Sequence, residues 1–308
     1  MSAVVAFARL PTEQANPRSR ALDRLSISQI LRLMNREDAY VPRAVAQALP
    51  DAARAVALIV ARLERGGRLF FLGAGTSGRL GVIEAAECPP TFNTPPAFVQ
   101  AVMAGGSPAV FRSREGAEDD RVRVRREVHR RVRRGDAVVG IAASGVTPFV
   151  GEGLRAAHAV GAATILVTCS PPTVMSRGRG PDVVIAAAVG PEVIAGSTRL
   201  KAGTATKLIL NMLTVASMVR LGKVYGNLMV DVRPTSRKLR ARALRIVAQA
   251  AGVPPIRAAQ ALRASGGAVK PAIVMAARGV SRGEADARLA RSRGRLRPIL
   301  DARRAPRR

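Results

Sequence analysis

Residues 71–92 read FLGAGTSGRLGVIEAAECPPTF, and this stretch decides the fold. An apolar run, Leu69 to Leu72, ends in the turn Gly73-Ala74-Gly75-Thr76-Ser77-Gly78, and a helical segment, Gly78–Glu87, follows. A strand feeding such a turn and helix directs backbone N–H groups, two hydroxyls and a helix N-terminus at one point, which suits a phosphate or sugar oxygens. The helix delivers Glu87 and is expected to halt at Cys88-Pro89-Pro90. An anion cradle and a carboxylate on one short unit point to chemistry on a phosphorylated small molecule.

Four more apolar runs follow, Ala97–Met103, Ala137–Ala142, Thr164–Thr168 and Val183–Val189. Helical stretches Glu115–Arg134 and Phe149–Val160 separate some of them. Continuous rather than alternating apolar runs, interleaved with helices, predict an α/β fold: a doubly wound, five-stranded parallel sheet covered on both faces. Ligands in such folds sit at the carboxyl ends of the strands, the edge that the Gly/Ser/Thr turns occupy. Upstream, Ser26–Asn35 and Pro42–Arg65 carry apolar residues at helical spacing, among them Ile27, Ile30, Leu31 and Met34. Downstream, Leu200–Leu221 reads as one long helix. Ser236–Ala250, Pro255–Ala264 and Val269–Ala277 then predict a small C-terminal helical bundle, with a fourth helix from Ser281. The expected organisation is an N-terminal helical segment at 1–58, a sheet domain at 59–226, and the bundle at 227–308 ending in a disordered basic DARRAPRR.

The 308 residues, 48% of them apolar, can bury a large core. No apolar run approaches the 18 residues of a membrane helix, and MSAVVAFARL lacks a positive start and a long enough apolar core for a signal peptide. The expectation is a cytoplasmic protein without a membrane segment. Two cysteines, Cys88 and Cys169, and two histidines, His129 and His158, supply neither a disulfide framework nor a zinc constellation. Neither a GxSxG elbow nor a Walker A lysine is present, and the GAGTSG turn lacks the G-x-G-x-x-G spacing of a dinucleotide site. No metal or other cofactor is expected.

The net charge is +29, carried by 45 arginines and only five lysines, with arginine concentrated in residues 112–134 and 288–308. Such charge favours polyanions, yet aromatics are 3% and tryptophan is absent, so stacking and base readout have little to work with. The arginine-rich face is read as solvated, with non-specific nucleic-acid binding in vitro and no specific nucleic-acid partner.

The 71–92 stretch resembles the core motif of the N-acetylmuramic acid 6-phosphate etherases of the sugar-isomerase (SIS) superfamily. The resemblance continues through REGAED (Arg114–Asp119), GIAASGVTP (Gly140–Pro148), GPEVIAGSTRLKAGTATK (Gly190–Lys207) and GKVYGNLMVDV (Gly222–Val232). TEQANP (Thr12–Pro17) and NREDAYVP (Asn35–Pro42) add to it, so it covers nearly the whole chain. It implies an SIS-type sheet and cleavage of the ether joining D-lactate to C3 of the sugar. In the ring-opened sugar the C2 hydrogen is alpha to the C1 aldehyde and lactate is beta. A base removes the C2 proton, an acid protonates the departing ether oxygen, and water then adds to the unsaturated aldehyde. By resemblance Glu87 is the proton donor and Glu118 the base, in environments expected to set their pKa values apart.

Phosphate binding falls to Gly75, Thr76, Ser77 and Gly78 with Ser144, Gly145 and Thr147. Ser197, Thr198, Arg199 and Lys201 form a third polar group suited to the lactate carboxylate or sugar hydroxyls, with Lys207 and Asn211 in support. Glu84, Glu115 and Asp119 are read as solvated, capping or salt-bridging. The resemblance also implies a homodimer. Val146, Ala86 and Asn93 depart from the residues usual at their positions, Arg, Ser and Gly. Two other readings share the fold: a non-catalytic sugar-phosphate-binding regulator and a sugar-phosphate isomerase. Retention of both glutamates argues against the regulator; lactate release separates the etherase from the isomerase.

Overall fold

The computed structural model describes residues 10–170 and 180–301, so the tail expected to be disordered lies outside the described residues beyond Asp301. Contacts divide the chain into two compact units, one formed by 1–86 with 96–214 and the other by 87–95 with 215–308.

The first unit opens with three helices, α1 (Ile27–Asp38), α2 (Val41–Gln47) and α3 (Leu49–Leu63). Ser26 starts α1 in a capping box with Gln29, each side chain bonding the other's backbone N–H. The single helix expected over 42–65 is two, because Pro50 lacks the N–H that would bond the Ala46 carbonyl. The apolar stripe of α1 faces outward: Ile27 and Leu31 are exposed, and the helix buries Glu37 instead.

β1 (Leu69–Gly73) leads into α4 (Gly75–Phe92), followed by β2 (Val99–Met103), the short helix α5 (Pro108–Phe111), a 3-10 turn (Ala117–Asp119) and α6 (Arg121–Arg131). β3 (Ala137–Ile141), α7 (Pro148–Ala159), β4 (Ala163–Thr168) and β5 (Val183–Ala186) complete the sheet, and α8 (Lys201–Arg220) follows. All five strands are parallel in the order β2-β1-β3-β4-β5, as the apolar runs predict. β1, β3 and β4 are buried along their whole length, as a sheet covered on both faces requires. Phe70, Leu72, Val138, Leu166, Phe149 and Val124 form the core between sheet, α6 and α7. This strand order reverses direction between β1 and β3, and such a switch point opens a crevice at the strands' carboxyl ends.

α4 does not halt at Cys88. It runs through Pro89 and Pro90 to Phe92 and ends at Asn93, whose φ of 52° is left-handed. The two prolines remove N–H groups owed to the Ala85 and Ala86 carbonyls, and the boundary between the units falls at Ala86–Glu87. α8 is long and apolar enough by length and composition to cross a membrane, with half of that stretch buried. The sequence count missed it because Lys201, Thr206, Lys207, Asn211 and Thr214 interrupt the apolar run. Those side chains engage protein partners, and Ala202, Ala205, Ile209, Leu210 and Leu213 are buried.

The second unit holds α9 (Arg237–Ala251), α10 (Pro255–Ala264), α11 (Val269–Arg278), α12 (Arg282–Arg291) and α13 (Arg297–Leu300). Ile246, Val247, Ala258, Ile273, Val274 and Leu296 are among its core residues. Left-handed Gly252 and Gly279 end α9 and α11.

Candidate functional site

The turn after β1 is set by two glycines. A Cβ on Gly73 would lie 2.7 Å from Gly78 Cα, and one on Gly78 would lie 2.6 Å from the Gly73 carbonyl oxygen. Only glycine at both lets strand and helix approach this closely. The helix therefore starts at Gly75, three residues earlier than the sequence suggests, and puts Thr76, Ser77 and Gly78 in its first turn.

Across the switch point, the turn after β3 is anchored on both sides. Ala142 N–H donates to the Val167 carbonyl at 3.0 Å and Gly145 N–H to the Ala142 carbonyl at 2.9 Å. Thr168 and Ser170 hydroxyls both donate to the Ala143 carbonyl, each at 3.2 Å. Gly145 is left-handed, with φ 76°, and a Cβ there would meet Thr168 Oγ1 at 3.1 Å. Ser144 Oγ accepts from the Val146 N–H at 3.3 Å, while Thr147, the N-cap of α7, makes no side-chain capping bond. The Thr147 hydroxyl is thus not consumed by capping.

Glu118 sits in the 3-10 turn that left-handed Gly116 initiates, not within a long helix, because Asp120 caps α6 by accepting the Arg123 N–H at 2.9 Å. It is exposed and lines a cleft of about 110 Å³ with Gly75, Arg79, Ser113 and Arg114. The structure thus brings Glu118 to the turn after β1. Arg79, which the sequence reading passed over, donates to the Ala109 and Val110 carbonyls at 2.9 and 2.8 Å and fixes one wall. Its one signal is its place just after GTSG.

Glu87 is exposed on α4. Glu84, one turn earlier, is 4% exposed; it binds the Lys207 ammonium and accepts the Thr214 hydroxyl at 2.8 Å. Lys207 also donates to Asn211 Oδ1 at 2.8 Å, so of the two expected supporting residues Lys207 holds a buried carboxylate and Asn211 holds Lys207. The left-handed conformation of Asn93 explains why glycine suits that position. Its Oδ1 accepts from Arg233 Nε within the second unit.

The Ser197–Lys201 turn is built on a buried ionic knot. Glu192 accepts the Lys201 and Ala202 N–H groups at 3.1 and 2.9 Å, capping α8. Lys201 Nζ donates to Glu37 Oε2 at 2.6 Å, and Asn16 and Arg18 donate to the same carboxylate at 2.8 and 2.5 Å. Burial alone would raise the Glu37 pKa, but bonds from Arg18, Lys201 and Asn16 hold it at about 2. Burial raises the Glu192 carboxyl, and the Asp38 charge adds to this against the two backbone N–H donors. The sequence signal for this knot lay in the TEQANP and NREDAYVP blocks, which supply Asn16 and Glu37. Thr76 Cγ2 lies 3.9 Å from where a Cβ on Gly203 would stand, so the first turn of α4 lies beside the first turn of α8.

Cys169 is buried, which pushes its thiol up to about 12, and Cys88 is buried as well. Among the described residues no three His, Cys, Asp or Glu side chains converge as a metal site would require.

An open parallel sheet with two glycine-shaped polar turns flanking its switch point defines a doubly wound α/β protein with an anion-receptive edge. Residues 51–158 match the glucokinase regulatory protein N-terminal SIS domain family. The N-acetylmuramic acid 6-phosphate etherase of Symbiobacterium thermophilum is 53% identical over 88% of this chain and 90% of its own. Those of Mycolicibacterium smegmatis and Edwardsiella ictaluri are each 50% identical over 95% of this chain, and 98% and 97% of their own. The chain belongs to the N-acetylmuramic acid 6-phosphate etherase family.

Proposed function

We propose that this chain hydrolyses the D-lactyl ether of N-acetylmuramic acid 6-phosphate, giving N-acetylglucosamine 6-phosphate and D-lactate in amino sugar catabolism. The observation that carries the reading is family membership at about 50% identity along nearly the whole chain. Glu118 takes the C2 proton of the ring-opened sugar. The C3–O bond breaks, and Glu87 gives its proton to the leaving lactate oxygen. Water then adds across C2 and C3, with the hydroxyl to C3 and the proton to C2, as the two glutamates exchange roles. The exposure of both carboxylates supports proton exchange with substrate and solvent.

The phosphate is held by Thr76, Ser77 and Gly78, with the Gly75 backbone, and by Ser144, Gly145 and Thr147. Support comes from the place of both turns beside the switch point and from the uncapped Thr147 hydroxyl. Ser197 and Thr198 take sugar hydroxyls. Lys201, buried against Glu37, acts by fixing that turn.

The working form is a homodimer in the cytoplasm, supported by the exposed Ile27 and Leu31 of α1 and Met212, Val215 and Val219 of α8. Sedimentation tests it, with twice the 32.4 kDa chain mass expected. The arginine-rich face engages no specific nucleic acid.

The enzymatic test is D-lactate release from the purified protein in ¹⁸O-water. Release of lactate, with the label at C3 of the product sugar, is expected. A folded protein that binds the sugar phosphate and releases no lactate would leave a non-catalytic binder.

A further inference from the structure

The GSTRLK turn offers several groups to an anion, and the structure shows that most are spent internally. The first two N–H groups of α8 go to Glu192, and the Lys201 ammonium goes to Glu37. Of the turn's two cations, Arg199 is the uncommitted one. It is exposed and has no hydrogen-bond or ion-pair partner among the described residues.

Arg199 stands at a cleft of about 190 Å³, beside Met34, Val193, Leu200, Thr204 and Asp38. Glu37 and Glu192 also line it, but Lys201 and Arg18 already pair with Glu37, and the Glu192 carboxylate is engaged by the Lys201 and Ala202 N–H groups. Asp38 is the exposed carboxylate that a second anion would oppose. The cleft therefore combines an apolar wall from Met34, Val193 and Leu200 with one uncommitted guanidinium. Thr204 follows Gly203, the residue facing Thr76 in the turn after β1.

A lactyl ether substituent carries one methyl group and one carboxylate. A guanidinium takes a carboxylate through two parallel N–H···O bonds, a geometry that an ammonium cannot reproduce. We propose that Arg199 reads the lactyl carboxylate and is the residue that separates the lactyl sugar phosphate from its lactate-free product. This rests on the etherase reading above. The product has the same phosphate but no carboxylate, so Arg199 contributes to substrate and not to product affinity.

The test measures KM and kcat for lactate release, and product affinity by calorimetry, in wild type, Arg199→Ala and Arg199→Lys. Arg199→Ala should raise KM by roughly ten- to a hundredfold, the range for a lost charged hydrogen-bonded pair. Product affinity should move by less than about twofold. Arg199→Lys should fall between, restoring charge without the fork. A substrate amidated at the lactyl carboxylate should be handled alike by wild type and Arg199→Ala. Equal loss of substrate and product affinity, or no loss of either, would overturn the assignment. If the wild type releases no lactate while binding the product, the etherase reading itself fails, a result distinct from both.

Discussion

Glu84 and Glu87 stand three residues apart on α4 in opposite surroundings. Glu84 is buried and holds Lys207 and Thr214, whereas Glu87 is exposed. Glu37 and Glu118 repeat the contrast, one fully buried beneath Asn16, Arg18 and Lys201, the other exposed in a cleft. A buried carboxylate held by several donors orders the chain around it; an exposed one is open to a substrate. The same division runs through the cations. Four of the five lysines, at 201, 207, 223 and 270, pair with Glu37, Glu84 or Asp231. An ammonium is a compact charge with three rotatable donors, and in this chain it serves buried carboxylates alongside guanidinium groups such as Arg18 on Glu37.

Substitutions can break this contrast. The largest effect is expected from Glu118→Gln, which should lower lactate release by roughly 10²–10⁴-fold, the usual worth of a general base, and leave the melting temperature unchanged. Lys201→Met should do the reverse first: a stability loss of about 3–5 kcal/mol by denaturant titration, because Glu37 keeps a buried charge without its ammonium. Unchanged melting there would remove the knot's structural role.

Acid titration sharpens the point. Glu37 has its pKa lowered from 4.5 to about 2, so its contribution is complete above pH 4.5 and is lost as pH falls toward 2. Glu37→Gln should flatten that part of the stability profile. Glu192 has a raised pKa and works in the opposite sense: its ionisation costs stability as pH rises. Ser236→Ala should cost about 1 kcal/mol, the loss of one N-cap bond to Leu239 N–H. Arg126→Gln, on the arginine-rich face of α6, should stay within about 0.5 kcal/mol, since it is exposed and has no partner among the described residues.

Much of this was legible in sequence because it is local. The five apolar runs became five parallel strands within a few residues at each end, and the Gly-Ser-Thr turns fell at their carboxyl ends. The helices of the second unit matched their apolar spacing and Gly/Pro punctuation. What escaped depends on distant partners. Lys201 read as a substrate contact because nothing near it announces Glu37, which lies 164 residues away. Pro50 split one helix and Pro89-Pro90 failed to stop another, since tertiary packing decides whether lost hydrogen bonds end a helix. The stripe of α1 had the right period, yet period alone does not say what covers it.

The most direct test of the division of labour is proton exchange at C2 of the substrate in deuterium oxide, followed by NMR in Glu87→Gln and Glu118→Gln. With the acid removed and the base intact, Glu87→Gln should still exchange the C2 hydrogen while lactate release stops. Glu118→Gln should lose both. Exchange that persists in Glu118→Gln, or lactate release unaffected by either change, would contradict the account.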